Sequence, residues 1–104
     1  MAVLIDYEGR AIRLTEERWR HISEHPEMEG MREALEETLR APEVVHESTS
    51  DPAARLHYRF YHRTMVGGKY LCAVVKLAGE DAFVVTAYLT DRVKKGRFLW
   101  PRKS

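Results

Sequence analysis

The side chains best suited to chemistry are His21, His57, Arg59, Tyr61, Lys76, Thr86 and Tyr88. These residue types suit cleavage of an RNA phosphodiester bond without a metal. In that reaction the substrate's own 2′-OH is the nucleophile. A base must take its proton, and an acid must protonate the departing 5′-oxygen. Positive charge must stabilise the phosphorane-like transition state. Histidine exchanges protons near neutral pH. Lysine and arginine supply charge, and threonine or tyrosine hydroxyls can hydrogen-bond a phosphate.

Strand alternation is what would gather them. In Arg55–Arg63, Leu56, Tyr58 and Phe60 share one face, and His57, Arg59 and Tyr61 the other. In Lys69–Leu77, Leu71, Ala73, Val75 and Leu77 oppose Tyr70, Cys72, Val74 and Lys76. In Ala82–Thr90, Phe83, Val85, Ala87 and Leu89 oppose Val84, Thr86, Tyr88 and Thr90. Successive side chains point to opposite faces, so each set stays together. A three-residue turn at Gly79-Glu80-Asp81 would set odd residues opposite odd ones in the last two strands. An even loop around Met65–Gly68 would bring Arg59 to the face of Lys76 and Thr86. One sheet face is then expected to hold His57, Arg59, Tyr61, Lys76, Thr86 and Tyr88. The plainer alternative is the wet face that antiparallel sheets normally have.

His21 and His25 are four apart, a spacing that could hold zinc. No third ligand announces itself, because Cys72 is the single cysteine and no His-Glu-x-x-His pattern occurs. No metal or cofactor is expected. Tyr61 and Tyr88, with Tyr70, remain as base-stacking candidates once core positions are set aside. The segment Arg92–Trp100 is basic with an apolar end. It suits either phosphate binding or a final strand anchored by Trp100.

Upstream, Val3–Asp6 and Ala11–Leu14 suit short strands around a turn at Tyr7–Arg10. Thr15 can cap a helix whose first turn carries Glu16 and Glu17. Pro26 ends or bends it. A second helix is expected from Glu27 to Arg40, with Met28, Met31, Leu35 and Leu39 as its buried stripe. Glu43–Glu47 reads as a strand and Thr49–Ala54 as a loop.

A chain of 104 residues suits one domain, 1–104. There is no Walker loop, dinucleotide fingerprint, nucleophile elbow or paired cysteine, which leaves kinase, dehydrogenase, serine hydrolase and zinc-finger readings unsupported. Residues 1–13 are too short and charged for a signal peptide. No apolar run approaches the ~20 residues of a membrane helix. The expectation is a cytoplasmic protein with no membrane partner. Residues 1–54 carry a net −7 and residues 55–104 a net +8, together the +1 of the whole chain. A basic half can bind an anionic partner, or the two halves can simply attract each other.

The run containing Leu14-Thr15, Trp19, His21-Ile22 and His25-Pro26-Glu27-Met28 resembles the opening helix of small phage- and mobile-element-associated domains of the barnase–EndoU–colicin–RelE nuclease superfold. Pro42, Tyr58-Arg59, Val74-Val75-Lys76, Val84 to Tyr88, Gly96 and Trp100 extend the resemblance over about Leu14 to Trp100. It implies an α+β fold with two N-terminal helices packed on one face of a mostly antiparallel sheet of about four strands. It also implies a metal-independent, toxin-like endoribonuclease acting on RNA. His21 would be base or acid, and Lys76 and Arg59 would stabilise phosphate charge. Thr86 would hold a phosphate oxygen, and Tyr88 would bond it or stack a base. A free-standing toxin would need a neutralising protein partner. The alternative on the same fold is a nucleic-acid-binding or regulatory module without catalysis.

Overall fold

A computed structural model describes residues 1–101. Thr15 holds an extended backbone, and its hydroxyl accepts the Arg18 N–H at 3.0 Å. That satisfies one of the free donors at the start of α1, Glu16–Ser23. The segment expected as one helix from Glu27 to Arg40 is divided. A single 3₁₀ turn spans Pro26–Met28, and α2 spans Arg32–Arg40. Gly30 separates them at φ +77°, a conformation an α-helix excludes and glycine adopts at little cost. Met28, Leu35 and Leu39 are fully buried with Ile22 of α1. Burying each of these side chains contributes about 1.5–3 kcal/mol.

The expected sheet of about four strands is corrected to a mixed sheet of seven. The strands are β1 (Ala2–Ile5), β2 (Ala11–Leu14), β3 (Val44–Glu47), β4 (Ala54–Tyr61), β5 (Lys69–Ala78), β6 (Asp81–Thr90) and β7 (Arg97–Trp100). Their order is β1-β2-β6-β5-β4-β3-β7. The fold is strand-dominated, and its two helices are short. The strands expected at 3–6, 11–14 and 43–47 are present as β1, β2 and β3, and β7 meets the final-strand alternative for 92–100; each has four residues. Tertiary pairing stabilises them: β2 runs parallel to β6 at Arg13 and Phe83, and β7 runs antiparallel to β3.

The two sheet faces carry different cores. Leu4, Ile12, Leu14, Leu71, Ala73, Val75, Val84 and Ala87 form the helix-side core with Ile22, Leu35 and Leu39. On the other face Leu56, Tyr58 and Cys72 are covered by Val44, Tyr70, Val74, Tyr88 and Val93. Val93 belongs to the segment 91–96, which crosses this second face before β7. No helix among the described residues is long and apolar enough to cross a membrane.

Candidate functional site

The register separates the residues expected on one face. Tyr61 pairs with Lys69, so the β4–β5 loop spans residues 62–68 and is odd rather than even. His57 therefore lies opposite Ala73, and Arg59 opposite Leu71, on the helix side. A second deviation occurs in β6. Val74 pairs with Thr86 but Val75 with Val84, leaving Val85 as a bulge. The bulge keeps Ala82 and Val84 in the same core as Ala87, while Thr86 and Tyr88 stay opposite Val74 and Cys72. Lys76 pairs with Phe83 on that same second face. The shared polar face is thus corrected. Lys76, Thr86 and Tyr88 stand on the second face, and His57, Arg59 and Tyr61 on the first.

The helix-side residues have clear partners. Arg59 donates from Nη1 to the Ala41 carbonyl at 2.7 Å and lies 3.4 Å from Glu37. The Tyr61 hydroxyl is 2.8 Å from Glu37 Oε1 and 3.0 Å from the Ala34 carbonyl. Burial pushes its pKa up to about 12. Both side chains clamp α2 to β4. His57 is 1% exposed, with Nδ1 3.2 Å from the Ala73 carbonyl. Burial lowers its pKa to about 4. His21 is exposed on α1, 3.8 Å from Glu24. Because α1 packs on the first face, His21 does not join Lys76, Thr86 and Tyr88.

The second face has its own organiser, Lys94. Its backbone N–H donates to the Tyr58 hydroxyl at 3.2 Å. Its carbonyl lies 2.9 Å from His46 Nδ1. Its Nζ stands 5.6 Å from the centre of the Tyr88 ring, a cation–π contact. A carbonyl can only accept, so Nδ1 carries the hydrogen in this bond. That leaves Nε2 as the ring nitrogen open to a proton. Burial, with the Cys72 thiol beside it, raises the Tyr88 hydroxyl well above its ordinary value, so it stays a donor. Burial likewise raises Tyr58.

Along β4 and β5 the same face carries rings packed edge to face. Tyr58 and Tyr70 are 6.4 Å apart, Tyr70 and Phe60 5.2 Å, and Phe60 and His62 5.0 Å. Phe60, Tyr70 and Tyr88 remain half-buried, so their rings are partly available. Lys76 is ion-paired with Asp51, whose carboxyl it holds below the usual range. Lys94 and Lys95 form no ion pair with a carboxylate among the described residues. Lys94 lies in the basic 92–100 run that suits phosphate binding, whereas His46 carries no such mark in the sequence. The available signal was His46 alternating with Val45 in a short strand, which places it beside Tyr58 only after β3 is paired with β4.

No group of three or more His, Cys, Asp or Glu side chains placed to hold a metal ion occurs among the described residues. No protein-family model, curated protein or solved structure matches this chain.

Proposed function

We propose that the second sheet face engages single-stranded RNA and cleaves it by metal-independent transesterification. The observation that carries this reading is the convergence on Lys94 of His46, Tyr58 and Tyr88. Half-buried rings suit stacking of unpaired bases, and unpaired cations suit the phosphate backbone. His46 Nε2 takes the 2′-OH proton, and O2′ attacks phosphorus. Lys94 offsets the charge that develops on the phosphate, Thr86 donates to its oxygens, and the half-buried Tyr88 ring stacks a base. The P–O5′ bond breaks, and the 5′-oxygen takes a proton from water admitted at the open face. The products are a 2′,3′-cyclic phosphate and a 5′-hydroxyl. The resemblance of the Leu14–Met28 run to nuclease domains supports the same substrate class. It would assign the proton transfer to His21, whereas the geometry favours His46.

The test is incubation with total RNA in EDTA. Wild type yields cyclic-phosphate ends. His46→Ala lowers the rate by about 10²–10⁴, the usual worth of a general base. Lys94→Ala lowers it as well, and His21→Ala leaves it near wild type. Loss of cleavage in His21→Ala with full activity in His46→Ala overturns this assignment. A second reading is binding without cleavage. It is favoured by Lys76 being paired with Asp51, which leaves Lys94 as the main cation over the centre of the face. RNA that binds and stays whole, with binding lost in Lys94→Ala, selects that reading.

A further inference from the structure

A second polar cluster lies apart from the Lys94 centre, where the β1–β2 turn meets β4 and β7. It borders a cleft of about 440 Å³ lined by Tyr7, Glu8, Arg55, Leu99 and Trp100. The Tyr7 and Trp100 rings are 5.2 Å apart and tilted by 44°. The Tyr7 ring also meets His57 edge to face at 5.8 Å. His57 is buried, and its Nε2 has no hydrogen-bond partner. Because Nδ1 must donate to the Ala73 carbonyl, Nε2 is a bare acceptor across the ring from that bond. His57 meets the Tyr7 ring but does not itself line the cleft.

The charges around this turn cancel. Glu8 Oε1 accepts from Arg55 at 2.9 Å and from Arg10 at 3.4 Å. Asp6 accepts from Arg10 at 2.8 Å. With two carboxylates and two guanidiniums, neither a cation nor an anion is strongly favoured. An uncharged flat ring bearing N–H donors fits the aromatic wall and the free Glu8 Oε2.

We propose that this cleft is a second RNA subsite, which takes one base of a strand bound on the sheet face. The proposal rests on the RNA reading given above. Strand β7 connects the two places. Val45 pairs with Trp100 but His46 with Phe98, so Leu99 is a bulge. Phe98 therefore lies against His46 at 5.8 Å on the second face, while Trp100 two residues later lies in the cleft. A strand that crosses this sheet edge passes from one aromatic to the other.

The experiment uses Trp19→Phe, in which Trp100 is the remaining tryptophan. It is titrated with the four nucleoside 5′-monophosphates, and with inorganic phosphate at matched ionic strength. Nucleotides give saturable quenching of Trp100 and phosphate does not. Glu8→Gln, which puts a donor where the free carboxylate oxygen stood, weakens binding about tenfold, as one lost hydrogen bond would. Equal quenching by phosphate, no saturation, or unchanged affinity in Glu8→Gln overturns the subsite. If RNA retention needs Lys94 but is unchanged in Trp100→Leu, the cleft proposal fails and the sheet-face reading stands. If nucleotides quench Trp100 while RNA stays whole, the cleft stands and the cleavage reading fails.

Discussion

A histidine sealed against a carbonyl resists protonation, and His57 makes that resistance measurable. Its pKa is lowered to about 4 by burial, against an unfolded value of about 6.5. Its folded value is the depressed one, so the unfolded chain binds the extra proton first. Stability is unaffected above about pH 6.5 and is lost as pH falls toward 4. The full loss is on the order of 3 kcal/mol. Thermal unfolding followed across that window should steepen in wild type and flatten in His57→Phe. An unchanged acid slope in the variant would assign the effect to other groups. Thr15→Ala is expected to cost about 1 kcal/mol by removing the helix cap, read by chemical denaturation. The two residues also differ in how far the sequence disclosed them. Thr15 was legible because capping is settled within four residues. His57 was placed correctly in its strand with Arg59 and Tyr61. Which face that trio meets depends on loop 62–68, and local pattern does not carry that information.

At the scale of elements, the bulges decide what the site contains. Val84 and Val85 are both valines, so hydrophobicity gives no sign of where β6 slips its register. The bulge nevertheless holds Thr86 and Tyr88 on the second face. The run 92–100 was open between phosphate binding and a final strand, and its fit beside β3 makes Arg97–Trp100 the strand β7. Gly96 is part of that fit. A Cβ there would come within 2.5 Å of the Glu47 carbonyl and 3.2 Å of His46 Cβ. Gly96→Ala must displace the segment that carries Lys94. The expected cost is about 1–3 kcal/mol, the range for overpacking a close contact. RNA affinity should fall with it, because Lys94 is held by the same crossing. Normal affinity in a Gly96→Ala protein with unchanged stability would show that the segment has room the contact distances deny.

Across the whole molecule, the acidic N-terminal half and basic C-terminal half reach different surfaces. α1 and α2 carry acidic side chains outside the first face, and the segment 91–97 carries Arg92, Lys94, Lys95 and Arg97 over the second face and its edge. The sequence showed this imbalance but not its direction in space, which follows from where the segment crosses. Binding of single-stranded RNA should weaken with salt. Lys94→Ala/Lys95→Ala should lower the slope of log affinity against log salt by about 1.4, from two phosphate contacts at ~0.7 each. An unchanged slope would place the phosphates elsewhere. The central claim is that RNA lies on the second face and not on the helices. The most direct measurement is backbone amide NMR during titration with a short single-stranded RNA. Shifts are expected to concentrate at His46, Tyr70, Thr86, Tyr88 and Lys94, with α1 and α2 quiet. Shifts centred on His21 and the helices, with β5 and β6 silent, would contradict it.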